Sequence, residues 1–473
     1  MKQMKYNIIF ILISLILTSC NDFLEEKSND KIIPKTVDNY EELLYGEAYF
    51  KGNETFGNYL DIMTDDVKCY TKGHGSSILS SDAREVAYGY YAWQQEPEIA
   101  TSGSRNNDIS WKKLYHSILM CNIVINDLPD MEGTDDEKYF LNAEALFIRA
   151  FDYFYLVNLY GEPYNKSSAS MALGVPINNL TGMEDVSLSR VSVEENYNKI
   201  MYDLKNSIEL FKKTTIVLNH FKANIESAYL LASRVSLYMK NYKDVVKYAD
   251  LVIAKKPSLY DLKTKDPKVK FINNFNPEIL FAFGYYRLSY FDKGFFTVSN
   301  FPISDNLKAL YFSNDLRKNV FFSSDMPNKN GTENDTKTYG YAMRTSEAYL
   351  NRAEAYTELD NMDKALVDIN KLRSYRFSDD NYNVSASLKE DVLTIVKDER
   401  RRELCFEKQR WFDLRRWGMP RIEHVYKAGT SNVIDEVYVL NEGDVAYTLP
   451  IPYSEMERNT KIVNIKRPER SAQ

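Results

Sequence analysis

The chain has 473 residues, of which 44% are hydrophobic and 27% charged, a balance that excludes wholesale disorder and leaves ample length for a large core. Lys and Arg number 60 against 67 Asp and Glu, a net charge of −7. A mildly acidic chain lacks the basic footprint that nucleic-acid phosphates demand, so nucleic acid is not expected as a partner.

The first element is a leader. Lys2 and Lys5 precede an apolar run from Ile8 to Leu17 that is broken only by Ser14. The run is shorter than the roughly 20 residues needed to span a bilayer and fits the apolar region of a secretory signal. Leu17-Thr18-Ser19-Cys20 follows, with the small residues and cysteine of a bacterial lipobox. Residues 1–19 therefore read as a cleaved lipoprotein signal peptide, with Cys20 as the lipidated N-terminus of the mature body, 20–473. Cleavage removes Lys2 and Lys5 and takes the charge from −7 to −9. The segment Asn21-Asp22-Phe23-Leu24-Glu25-Glu26 resembles the acidic signal that sends Bacteroidetes lipoproteins to the outer face of the outer membrane. Cys69, Cys121 and Cys405 remain, an odd number without CxxC spacing, so they read as small core residues.

Most of the rest reads as amphipathic helix. Trp111 to Leu128 carries a stripe of Trp111, Leu114, Tyr115, Ile118, Leu119 and Ile125, ended by Pro129. Glu137 to Tyr160 places Phe140, Ala143, Phe147, Ala150, Phe154 and Val157 at helical spacing, with Gly161 as its stop. Glu194 to Lys212 is a third helix, capped near Ser192. An internal repeat then appears at an offset of 120: Ala228-Tyr229-Leu230 matches Ala348-Tyr349-Leu350, and Asn241 matches Asn361. Each copy reads as helix, polar turn, helix, with Ala353, Tyr356, Ala365 and Ile369 at tetratricopeptide spacing. Two irregular, aromatic-rich segments interrupt this pattern. One is 65–108; the other runs through 261–343, where Ile279–Phe283 reads as a short strand. Long irregular segments on a rigid frame are where binding is expected. The expected organisation is an N-terminal helical region at 20–260 with binding loops at 65–108, a loop-rich region at 261–343 and a C-terminal region at 344–473.

The C-terminal region holds the sharpest signature, Arg400-Arg401-Arg402-Glu403-Leu404-Cys405-Phe406-Glu407-Lys408-Gln409-Arg410-Trp411-Phe412-Asp413-Leu414-Arg415-Arg416-Trp417-Gly418. On one continuous helix, Glu403, Glu407, Arg410 and Asp413 share a face and are expected to pair along it. This segment resembles the hallmark helix of the SusD/RagB family of outer-membrane nutrient-binding lipoproteins. Arg344 to Tyr356 resembles the family's preceding helix, Ala143 to Phe154 with Leu159-Tyr160-Gly161 its long N-terminal helix, and Leu449-Pro450-Ile451-Pro452 with Glu455 and Asn459 its closing turn. One departure is Thr460, where the family usually has proline.

The resemblance implies a mostly α fold, with tetratricopeptide-like helix pairs forming a scaffold for an irregular, loop-rich half and a few short strands. It implies a lipid-anchored protein facing the exterior of the outer membrane. Such a protein captures an oligosaccharide or polysaccharide and passes it to a SusC-like TonB-dependent transporter. Arg401, Glu403, Glu407, Arg410, Trp411, Asp413 and Trp417 would be mainly architectural. The alternatives are a non-glycan cargo, such as peptide, on the same fold, and a surface glycosidase.

Enzyme signatures are absent from the sequence. His74, His116, His220 and His424 form no HExxH or cysteine-paired metal motif, and neither GxSxG nor GxxxxGK[ST] occurs. No cofactor, metal or catalytic residue is therefore expected. Saccharides present apolar faces and hydroxyls, so aromatic rings beside Asp, Asn or Gln are the natural binders. Trp93, after Tyr90-Tyr91 and before Gln94-Gln95, is the leading candidate. Tyr91, Tyr286 and Tyr290 are further candidates, because the family's ligand aromatics commonly come from these two loop regions. Asp65 and Asp66 are polar candidates nearby.

Overall fold

The computed structural model of the chain describes residues 34–50, 56–57, 59–70, 81–182, 186–284, 301–329, 340–428 and 433–473. The leader, Cys20, Tyr286 and Tyr290 lie outside the described residues. The helices begin where capping chemistry places them. Thr134 caps α4 (Asp135–Tyr160) in a box with Glu137, and Ser192 caps α5 (Val193–Phe211) in a box with Glu195. The earlier helices are α1 (Val37–Glu47), α2 (Ser81–Tyr91) and α3 (Ser110–Asp127). From Phe140 to Tyr160, α4 is almost entirely buried, and the polar groups it takes inside are partnered: Arg149 with Asp203, Asp152 with Ser117 and Glu144 with Tyr49. Gly161 ends it in extended rather than left-handed backbone. Glycine is required there because a Cβ would lie 2.7 Å from the Val157 carbonyl oxygen.

The repeat is visible in three dimensions. Helices α6 (Ile225–Tyr238) and α7 (Tyr242–Lys255) recur 120 residues later as α10 (Thr345–Glu358) and α11 (Met362–Ser374). Even the turns correspond. Lys240 and Asp360 adopt φ of 57° and 60°, and the next N–H, of Asn241 or Asn361, donates to the carbonyl of Ser236 or Tyr356. The two hairpins are separated in sequence but adjacent in space, since α7 packs on α10. With α4–α5 ahead of them and α12 (Lys389–Leu404) behind, they form one continuous stack of paired helices.

Between the two hairpins, α8 (Asp305–Ala309), α9 (Arg317–Val320) and a minimal hairpin, β2 (Phe322–Ser323) with β3 (Met326–Pro327), make the irregular half. The strand expected at Ile279–Phe283 is present as β1 and pairs antiparallel with β4 (Tyr341–Arg344). A longer hairpin, β5 (Ile422–Ala428) and β6 (Ile434–Leu440), follows the signature segment.

The signature segment differs from the single helix expected. Helix α12 stops at Leu404, Phe406 and Lys408 take φ of 59° and 60°, and α13 (Arg410–Arg416) starts afresh. The charges pair across elements rather than along one face. Glu403 accepts from Arg344 at 2.9 Å, Arg376 at 2.9 Å and Arg317 at 3.1 Å, while Glu407 accepts from Arg344 at 2.6 Å. Arg410 binds Asp65, and Asp413 accepts from Arg400 at 2.7 Å; the expected Glu407–Arg410 contact is replaced by these long-range bonds. The break lets each carboxylate reach a guanidinium on another element, which an unbroken helix would not allow. Cys69, Cys121 and Cys405 are free and buried, as expected. No helix among the described residues is long and apolar enough to cross a membrane.

Candidate ligand-binding groove

The end of α2 builds the region that the sequence singles out. The Ala92 N–H donates to Tyr88 O and the Gln94 N–H to Gly89 O, each at 2.8 Å, so the chain wraps back over the helix terminus. Trp93 takes the left-handed position of this wrap, with φ of 49°, where glycine is usual. The strain is offset by burial, because Trp93 is only 1% exposed and its Nε1 donates to Met63 O at 2.9 Å. Gly89 permits the wrap to close, since a Cβ there would lie 2.4 Å from Pro97 O.

Trp93 and Tyr91 are therefore placed differently from the exposed platform that was expected. The His424 ring lies between them, 4.2 Å from Trp93 and 4.1 Å from Tyr91, stacked on both. Burial pushes the His424 pKa down to about 4, so the ring is neutral at pH 7. The Tyr91 hydroxyl donates to Val425 O and accepts from the Cys69 N–H. In this arrangement both rings lie in the core, at 1% exposure each, with no open face for a sugar. Asp65 and Asp66 are likewise engaged. Arg410 grips Asp65 through two bonds of 2.8 Å, and Arg401 donates to Asp66 at 2.7 Å. Burial alone would raise the Asp65 pKa, but Arg410 and Arg401 outweigh it and hold the group near about 2.

What Trp93 anchors is the next turn, which is accessible. A cavity of about 640 Å³ is lined by Tyr88, Gln94, Gln95, Glu96, Ile99 and Arg470. A second, of about 350 Å³, shares Gln95 and Glu96 and adds Arg105, Tyr453 and Asn464. Together they form a groove running past both sides of Gln95-Glu96. Two tyrosines flank it. Tyr88 is half-buried, braced by a 2.9 Å bond to the Tyr438 hydroxyl. Tyr453 is 45% exposed, with the Arg105 guanidinium 4.2 Å from its ring centre. Two of its cations are committed within the protein: Arg105 pairs with Glu96 and Glu98, and Arg470 with Asp444 at 2.8 Å. The amides of Gln94 and Gln95 offer both donors and acceptors, the complement that hydroxyls need. Tyr453, Arg105 and Arg470 were not singled out in the sequence. No local pattern marks them, because they meet only when the C-terminal segment folds back onto the 94–105 loop.

Comparison with known proteins fits this architecture. The family profile described as "SusD family" matches residues 225–467, and the one described as "Starch-binding associating with outer membrane" matches residues 22–237. SusD-like protein P2 of Formosa agariphila is 23% identical over 97% of this chain and 98% of its own. Among solved structures, a SusD-like carbohydrate binding protein from Bacteroides vulgatus superposes with a TM-score of 0.68 at 21% identity, covering 92% of this chain and 98% of that one. A SusD superfamily protein from Bacteroides thetaiotaomicron gives 0.67 at 24% identity, covering 93% and 100%. The fold is thus shared along nearly the whole chain, and since the first profile spans more than half of it, the chain belongs to the SusD family.

Proposed function

We propose that this protein is a cell-surface lipoprotein, anchored through Cys20, that binds an oligosaccharide or polysaccharide and passes it to a SusC-like TonB-dependent transporter in the outer membrane. The observation that carries the binding reading is the groove at Gln94–Glu96, where amide side chains sit between two flanking tyrosines. Rings of this kind stack on the apolar face of a sugar while the amides take its hydroxyls. The printed descriptions of the starch-binding profile and of the carbohydrate-binding Bacteroides vulgatus relative support a glycan as cargo.

The protein acts by holding its ligand, without turnover. Glu96 and Glu98, which line the groove, both pair with Arg105. Three measurements test the proposal: palmitate labelling that depends on Cys20, co-purification with an outer-membrane transporter, and binding to a glycan panel. Labelling and co-purification with a peptide cargo instead of a glycan would transfer the reading to a non-glycan nutrient. Release of reducing sugar would make the protein a glycosidase.

A further inference from the structure

One wall of the groove is the segment 464–471, which lies outside any helix or strand. Side chains reaching back into the fold fasten it along its length. Asn464 exchanges bonds with Ile451, its Oδ1 accepting from the Ile451 N–H at 2.7 Å and its Nδ2 donating to Ile451 O at 3.1 Å. Arg467, 3% exposed, donates to Ala446 O at 3.3 Å and to Trp93 O at 3.4 Å. Arg470 pairs with Asp444 at 2.8 Å and donates to Val439 O, and just beyond it the Gln473 N–H donates to Val437 O at 2.9 Å. Pro468, between the two arginines, fixes one φ of the segment. The wall is therefore a strap tied at several points rather than a loose tail.

Between the ties, the strap turns side chains to the groove. Lys466 lines the smaller cavity and Glu469 the larger one. The other charged residues lining either cavity are engaged by the protein: Glu96 and Glu98 pair with Arg105, Arg470 pairs with Asp444, and Arg467 is buried against backbone carbonyls. Lys466 and Glu469 are exposed, and neither forms an ion pair among the described residues. Three residues separate them, so their backbone positions are at most about 11 Å apart, within reach of one short oligosaccharide. We propose that Lys466 and Glu469 are the specificity-determining residues of the groove, Glu469 excluding acidic sugars from the larger cavity; the proposal rests on the groove being the glycan site. The Glu469 carboxylate accepts from sugar hydroxyls, and the Lys466 ammonium donates to sugar oxygens. A uronic acid in the larger cavity would set its carboxylate beside Glu469, where no uncommitted cation offsets the repulsion. An uncharged sugar meets no such penalty.

The test is calorimetry on the full chain with maltotriose, cellotriose and xylotriose as neutral probes and trigalacturonate as the acidic one. The wild type is expected to bind at least one neutral probe, and to bind trigalacturonate about tenfold or more weakly than that probe. Lys466→Ala and Glu469→Ala should each lower affinity for the neutral probe about fivefold, with thermal unfolding unchanged because both side chains are exposed. Glu469→Lys should raise affinity for trigalacturonate about tenfold, and the gain should shrink as salt rises from about 50 to about 300 mM. The proposal is overturned, with the groove left standing, if both alanine variants bind the neutral probe as the wild type does, if Glu469→Lys gains nothing for trigalacturonate, or if the wild type binds the acidic and neutral probes equally. Failure of all three neutral probes to bind at millimolar concentration would overturn the groove reading together with it.

Discussion

Replacing Glu399 by Gln isolates the energetic logic of the buried ionic cluster beneath the signature. Glu399 has no exposed side-chain surface and accepts from Arg317 at 2.7 Å, Arg402 at 2.8 Å and Arg373 at 3.1 Å. Burial by itself would raise its pKa; the three guanidiniums reverse that and hold it at about 2, against 4.5 for a free glutamate. At about 1.4 kcal/mol per pH unit, this difference corresponds to about 3 kcal/mol of stability at neutral pH. Because the folded-state pKa is depressed, the contribution is complete above pH 4.5 and drains away as the pH falls toward 2. It should be about 2 kcal/mol at pH 3.5. Glu399→Gln is therefore expected to cost about 3–5 kcal/mol at pH 7, since it leaves buried Arg373 and Arg402 without a carboxylate partner and takes one of three from Arg317, and less at pH 3.5. Urea unfolding of both proteins at the two pH values reads this directly. A cost below about 1 kcal/mol at pH 7, or a cost that does not shrink on acidification, would refute the assignment of Glu399 as the ionised hub of the cluster.

Three further outcomes are expected. Trp93→Ala should destabilise the fold by about 3–5 kcal/mol in denaturant unfolding, because the indole is buried against His424; wild-type stability would contradict its role as an anchor. Gly89→Ala should cost about 1–3 kcal/mol and weaken ligand binding together, since the new methyl meets the Pro97 carbonyl and must push the 92–97 turn; unchanged melting and unchanged affinity would contradict the close approach. Lys240→Gly should raise stability by about 0.5–1 kcal/mol in thermal unfolding by relieving a left-handed backbone, and a loss would argue against the turn geometry.

The helical frame was legible because its signals are local. The apolar spacing of α3 and α4 and the cap near Ser192 sit within one or two turns of the residues they position. The 120-residue repeat was readable for the same reason, down to the asparagines that open its second helices. The break at Cys405–Gln409 was not legible, because what rewards it lies far away: Arg344 and Arg376 for Glu403, and Asp65 for Arg410. Trp93 shows the same limit at the candidate site. An irregular stretch of Tyr and Trp beside glutamines reads as a surface platform. His424, more than 300 residues later, fills the space between Trp93 and Tyr91 and turns them into core. The amides that followed Trp93 in the sequence are the groups that line the groove.

Titration of neutral oligosaccharides into the wild-type chain and into Gln95→Ala/Tyr453→Ala bears most directly on glycan capture at the groove. Both substituted side chains line the groove, and Tyr453 is substantially exposed, so the variant should keep its fold. The account predicts saturable binding by the wild type, no product released during the titration, and an affinity lowered about tenfold or more in the variant. Saturable binding with the same affinity in both proteins, or no saturable binding to any glycan tested, would contradict it.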